Sequence, residues 1–156
     1  MAADVIIKLQ SKIIKKGRGR IKMSKRDLQK AIKENEGFIL SNGTLNLEHL
    51  LSSAYDTIVS YNLKGNPNSH IQTTTIRNDI LECFVIDGDF MKSNDSLYEK
   101  VYHGEANINE KAPYSPYDVW DDVNSYFQSL APDGYYFGSL EGNDSYIGWF
   151  KYNEEY

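Results

Sequence analysis

The chain is poor in cysteine and contains no long apolar run. Cys83 is the only cysteine among 156 residues, so an internal disulfide is excluded. It lies in the apolar stretch 81–86, which predicts a buried, unreactive thiol in a reducing compartment. No stretch approaches the roughly 18 apolar residues that a membrane span needs. The N-terminus alternates apolar and charged residues without a signal-peptide core, so we expect a soluble cytoplasmic protein with no membrane partner.

Catalytic and metal-binding motifs are also lacking. The chain has three histidines, without metal-ligand spacing between them: His49, His70 and His103. No phosphate-binding loop, dinucleotide fingerprint or nucleophile motif is present. The acidic pairs Asp87/Asp89 and Asp121/Asp122 suit Mg²⁺ chemistry, but no spacing fixes a third ligand. We therefore expect no catalytic residue, metal or cofactor, and a metal-dependent nuclease is the weakest alternative.

Positive charge is scarce in the second half of the chain. Residues 79–156 carry four Lys and no Arg against sixteen Asp and Glu, which gives a net charge of −12. Residues 1–78 carry thirteen Lys and Arg against six acids, which gives +7. The first half is suited to contact phosphate, and the second is suited to repel phosphate or to imitate it. This asymmetry predicts a binding protein.

The positive charge of the first half is concentrated in one stretch. Its candidate contacts with nucleic acid or another partner are Lys15, Lys16, Arg18, Arg20, Lys22, Lys25, Arg26 and Lys30. Arginines flanked by glycines, as in Gly17–Arg20, can approach a phosphate backbone closely and pair with it through two hydrogen bonds. Such a cluster is typical of proteins that bind RNA or DNA. The alternative is a solvated face, or one that neutralises acids of the same molecule.

The candidate acidic contacts with a partner lie near the C-terminus: Asp118, Asp121, Asp122, Asp133, Glu141 and Asp144. Carboxylates spread over a helix and a hairpin can follow the spacing of phosphates on a duplex, as a protein occupying another protein's nucleic-acid channel requires. The alternative is that these acids only maintain solubility. The twelve tyrosines also have two interpretations, as filling of a small core or as a contact surface.

The first half is predicted to be mainly helical. Residues 5–16 fit a helix slightly better than a strand, and Gly17–Arg20 breaks the pattern. Ser24 is a predicted N-cap, with Asp27 completing a capping box, for a helix from Lys25 to about Asn35 that Gly37 closes. The apolar residues of 47–59 repeat at the spacing of a buried helix face, with Asn46 or Thr44 as cap.

The second half predicts shorter elements. Residues 70–91 fit either a β-pair or a helix over 76–85, and Asp95 is the predicted cap of a short helix carrying Leu97 to Tyr102. Residues 103–114 are predicted to form a loop. Ser115 and Pro116 begin a helix, whose predicted buried stripe is Val119, Trp120, Val123, Phe127 and Leu130. Two aromatic strands, 135–139 and 146–152, form a hairpin around 141–144.

The predicted fold class is therefore α+β. It combines N-terminal helices with a small antiparallel sheet, and it ends in a C-terminal helix plus a β-hairpin. We expect one domain over residues 1–156, with a basic helical part (1–62) and an acidic α+β part (70–156).

The C-terminal segment carries one resemblance. The sequences 130–139 (LAPDGYYFGS), 142–144 (GND) and 147–150 (IGWF) resemble a C-terminal module of uncharacterised proteins from phages, plasmids and conjugative elements. The resemblance covers about 40 residues and implies a mobile-element origin but no activity. Small, charge-polarised proteins of such elements are similar in character to anti-restriction and anti-CRISPR inhibitors, an analogy of character and not of motif.

The leading hypothesis is a non-enzymatic, mobile-element inhibitor that acts in the cytoplasm of a bacterial host cell. It would bind a nucleic-acid-guided nuclease, or the complex of that nuclease with its guide RNA, and block nucleic-acid binding. The first alternative is a small accessory protein that binds RNA or DNA directly through the basic region.

Overall fold

The computed structural model describes residues 23–42, 46–63, 76–87, 91 and 95–152. These ranges form an α+β fold of helices and two small antiparallel sheets, which confirms the predicted fold class. The helices are α1 (Lys25–Glu34), α2 (Leu47–Ser60), α3 (Ile76–Glu82), α4 (Leu97–Tyr102) and α5 (Pro116–Ser129). The strands are β1 (Gly37–Asn42), β2 (Phe84–Ile86), β3 (Ala106–Ile108), β4 (Tyr135–Leu140) and β5 (Asn143–Lys151).

The helix starts follow the local sequence closely. Ser24 and Asp27 form the predicted capping box, in which the backbone N–H of Ser24 donates to the Asp27 carboxylate at 2.7 Å. Asn46 caps α2, and Ser115 with Pro116 begins α5 as predicted. The predictions for residues 5–16 and for Gly17–Arg20 lie outside the described residues.

Several predicted boundaries are wrong. Gly37 does not close α1, because Asn35 is the C-cap and Gly37 already begins β1. Within the segment 70–91, for which a β-pair or a helix over 76–85 was predicted, the described residues form the shorter helix α3 and then strand β2, whose partner β3 lies outside this segment. Ser96, and not Asp95, is the N-cap of α4. The predicted loop 103–114 contains β3, which pairs antiparallel with β2.

The larger sheet has the strand order β1-β5-β4, so the predicted C-terminal hairpin has a third strand from the first half of the chain. Gly37 pairs with Phe150 and Phe38 with Trp149, and a bulge follows Ile39. Gly148 lies beside this bulge, where a Cβ atom would meet the carbonyl oxygen of Phe38 at 2.1 Å. Close approach of two backbones therefore requires glycine at this position.

The core is centred on Trp149 and not on Trp120. Trp149 is fully buried, and its ring lies 4.8–5.6 Å from those of Phe38, Phe127 and Phe137. Its indole N–H donates to the carbonyl of Phe127 at 2.8 Å. Trp120, predicted for the buried stripe, is only half-buried and contacts Phe137 with ring centroids 6.3 Å apart. Helix α5 and the hairpin thus pack together as expected.

Candidate acidic, basic and aromatic contact surfaces

Helix α5 presents a negatively charged face to solvent. Val119, Val123 and Phe127 turn one side of the helix into the core, which leaves Asp118 and Asp121 exposed on the other side. Residues three apart on a helix are neighbours, with Cβ atoms roughly 5–6 Å apart. The helix contains three aspartates and no lysine or arginine. We call Asp118 and Asp121 the acidic helix face.

Asp122 does not belong to this face, although the sequence prediction grouped it with Asp118 and Asp121. It is only 8% exposed. Its position explains this burial, because it lies three residues after Val119 and directly before Val123, within the apolar stripe of α5. The inclusion of Asp122 among the exposed acidic contacts was therefore wrong.

The other predicted acids are exposed but are not brought together. Glu141 lies in the β4–β5 turn and Asp144 at the start of β5, whereas Asp133 lies in the connection from α5 to β4. The six residues of β4 separate these positions by about 20 Å at the usual rise per residue. The acids therefore form an elongated distribution along the hairpin, not a compact cluster of metal-ligating groups.

The five exposed acids have no basic partner among the described residues. Two salt bridges occur there, between Lys30 and Glu34 at 3.8 Å and between Lys100 and Glu105 at 3.9 Å. Neither involves Asp118, Asp121, Asp133, Glu141 or Asp144. Carboxylates without a basic partner make the potential around them more negative, which attracts a positively charged surface.

The basic candidates are described only in part. Lys15, Lys16, Arg18, Arg20 and Lys22 lie outside the described residues. Lys25, Arg26 and Lys30 are exposed on α1, whose opposite side buries Leu28 and Ile32. The ammonium group of Lys30 lies near Glu34 one turn along the helix, so Lys25 and Arg26 carry the less compensated charge.

Helix α1 lies at the C-terminal end of α5. The side-chain amide of Gln29 donates to the carbonyl of Leu130 at 3.1 Å. Gln29 is one turn along α1 from Lys25 and Arg26. Asp118 and Asp121 precede Leu130 by twelve and nine residues, which corresponds to about 18 and 13 Å along a helix. Helix α1 and the acidic helix face are thus separated along α5, whereas Asp133 lies three residues after the Leu130 contact.

An aromatic ladder on α2 and α4 was missed by the sequence analysis. Its rings are those of His49, Tyr98, Tyr102 and His103. The centroids of successive rings are 5.8, 6.5 and 5.5 Å apart. Tyr98 is 36% and Tyr102 70% exposed. The four-residue spacing of the two tyrosines on a predicted helix was the signal available in the sequence.

Asp56 of α2 fixes the helix that carries this ladder. Its carboxylate accepts hydrogen bonds from the hydroxyl of Ser96 and from the backbone N–H of Leu97 at 2.8 Å. The carboxylate thereby satisfies a donor at the start of α4. Burial raises the pKa of Asp56 to about 6, against the opposing effect of these hydrogen bonds.

Cys83 is buried as predicted, its thiol donates to the carbonyl of Asp79 at 3.4 Å, and burial raises its pKa to about 11. No group of three potential metal ligands occurs within the described ranges. In the same ranges, no helix combines the length and the apolar character that crossing a membrane would require.

Comparison with protein-family models, with curated proteins and with solved structures finds no match to this chain.

Proposed function

We propose that this protein is a mobile-element-encoded inhibitor that binds a bacterial nucleic-acid-guided nuclease and blocks its binding of nucleic acid. It acts without catalysis, in the cytoplasm of the host cell. The observation that carries the proposal is the exposed carboxylates of α5 and the hairpin, none of which has a basic partner within the described residues.

The elongated placement of these acids supports nucleic-acid mimicry. A groove that holds a duplex is lined with Lys and Arg that face regularly spaced phosphates. The acids of the hairpin extend over about 20 Å, and the acidic helix face adds two carboxylates on a rigid element. A surface of this kind enters such a groove by charge complementarity, which speeds association and excludes wrong partners.

Direct binding of RNA or DNA is the second candidate. It is favoured by Lys25 and Arg26, which are exposed on α1 without a salt bridge among the described residues. In this alternative, the basic surface contacts phosphates and the acids serve only solubility.

The test compares two charge-reversed variants of the full chain. Asp118→Lys/Asp121→Lys should slow association with a guide-loaded nuclease about tenfold at 0.1 M salt, because steering depends on complementary potential. Glu82→Lys/Asp87→Lys is the matched control, since both residues are exposed elsewhere and the change in charge is identical. The effect should shrink at 1 M salt, where the Debye length falls to about 3 Å. The association rate is measured by surface plasmon resonance on a panel of immobilised bacterial guide-loaded nucleases.

Two results would contradict the proposal. Equal losses in both variants would mean that only net charge matters. Binding of naked RNA or DNA that is lost in Lys25→Glu/Arg26→Glu, together with no binding to any nuclease of the panel, would favour the accessory nucleic-acid-binding protein.

A further inference from the structure

We propose that the aromatic ladder of α4 binds an arginine side chain of a protein partner. The inference rests on the proposed function in one respect, namely that the basic groove of a nuclease would supply this arginine. The site itself is argued from the ladder and from the charges around it.

The ladder exposes aromatic surface that the fold does not use. Tyr102 is 70% exposed, and its ring plane lies within 21° of that of Tyr98. Tyrosines that contribute to the core are far more buried, as Tyr55 and Tyr61 are at 5% and 1%. A guanidinium group is attracted to the face of such a ring, which carries partial negative charge.

The charges around the ladder favour a cation over a nucleobase. Glu99 is exposed on the same helix, and Glu105 follows at its end. The ammonium of Lys100 lies 3.9 Å from the Glu105 carboxylate, so these two charges offset each other, and Asp95 and Glu99 leave the segment 95–105 with a net negative charge. Phosphates attached to a stacked base would be repelled here, whereas a cation would be attracted.

Arginine suits the site better than lysine. Its guanidinium is planar and weakly hydrated, so it can stack on a ring while it donates hydrogen bonds to a carboxylate. A lysine ammonium is a strongly hydrated point charge and gains less from a ring face.

The ladder is held in place before a partner arrives. Tyr98 packs edge-on against His49 of α2, with ring centroids 5.8 Å apart. Asp56 fixes the start of α4 through Ser96 and Leu97. A preformed surface loses less conformational entropy on binding.

The experiment measures binding of two labelled peptides of equal length to the full chain by fluorescence polarisation at 0.15 M salt. One peptide alternates Arg and Gly, and the other alternates Lys and Gly. The Arg peptide should bind at least about threefold more tightly. Tyr102→Leu should remove this preference, whereas Tyr102→Phe should keep it. Tyr152→Leu is the matched control, because Tyr152 is also exposed but lies at the end of β5.

Equal affinity for the two peptides would overturn the inference, and so would equal losses in Tyr102→Leu and Tyr152→Leu. Ladder-dependent binding of single-stranded oligothymidine in place of the Arg peptide would overturn it in favour of base stacking. Because Tyr102 is mostly exposed, its variants should fold, and circular dichroism checks this.

The two proposals fail in different ways. If the Arg preference depends on Tyr102 but no nuclease is bound, the inference holds and the proposed function fails. If a nuclease is bound through Asp118 and Asp121 and the Arg preference is absent, the proposed function holds and the inference fails.

Discussion

Removal of the Trp149 side chain should destabilise the protein more than any change at the other tryptophan. The ring is fully buried against three aromatic rings, and its indole N–H bonds to the Phe127 carbonyl. Truncation of such a residue to alanine costs about 3–5 kcal/mol. For a chain of this size, a loss of about 4 kcal/mol lowers the melting temperature by roughly 8–16 °C.

The phenylalanine variant of Trp149 keeps an aromatic ring in the core but removes the indole N–H and part of the side-chain volume. The carbonyl of Phe127 also accepts from the Leu130 N–H at 3.2 Å, so Trp149→Phe does not leave it unpaired. We therefore expect a loss of about 1–2 kcal/mol, from one hydrogen bond and a small cavity. Trp120→Phe is the control, because Trp120 is half-buried and its indole has no hydrogen bond to lose within the described residues, so its destabilisation should be smaller than that of Trp149→Phe.

The assay is urea unfolding followed by far-ultraviolet circular dichroism, with the slope m compared between variants. Equal stability of the two phenylalanine variants would refute the assignment of Trp149 as the centre of the core. So would a Trp149→Ala protein that unfolds at the same urea concentration as the wild type.

Two further predictions concern the sheet and the α2–α4 junction. Gly148→Ala should lower the free energy of unfolding by about 2 kcal/mol or more, because the added Cβ would meet three backbone atoms of β1 at 2.1–3.0 Å. Urea unfolding tests this, with Ser139→Ala at an exposed position as the control. An unchanged midpoint in Gly148→Ala would contradict the prediction. The pKa of Asp56 is about 6 in the folded state and near 3.8 in the unfolded state, so the folded state binds the proton of this carboxyl more tightly. The contribution of Asp56 to the free energy of unfolding is therefore full below pH 4 and is lost as the pH rises to about 6. The free energy of unfolding should fall by about 3 kcal/mol over this range, and this fall should be absent in Asp56→Asn. Urea unfolding of both proteins between pH 4 and 7 tests this, and the same pH dependence in both would contradict it.

The helices were predictable because their signals are local. The capping box at Ser24, the start at Ser115–Pro116 and the apolar repeat of α2 each lie within a few residues, and each is confirmed. Strands β1 and β3 were missed because a strand is stabilised by its partner. The residues that pair with β1 lie more than 100 positions away in β5, and no local pattern specifies that pairing.

The candidate site was predictable in composition but not in arrangement. Charge counts identified the acidic half, and exposure of Asp118 and Asp121 follows from the apolar stripe of α5. Burial of Asp122 was not predicted, because a charged residue is rarely buried even when, like Asp122, it lies within the apolar stripe of a helix. The ladder was missed since His49 and Tyr98 meet only when α2 packs against α4.

The asymmetry of charge along the sequence does not by itself separate the charges in space. Strand β1 joins the hairpin, and Gln29 bonds to the end of α5, so the first half of the chain is packed into the second. The length of α5 separates the acidic helix face from α1, because it places Asp118 and Asp121 about 13–18 Å from the contact between Gln29 and Leu130. This distance exceeds the Debye length of about 10 Å at 0.1 M salt. Direct interaction between the acidic helix face and α1 is therefore partly screened at this salt concentration, so reversal of Asp118 and Asp121 leaves the binding contribution of Lys25 and Arg26 measurable.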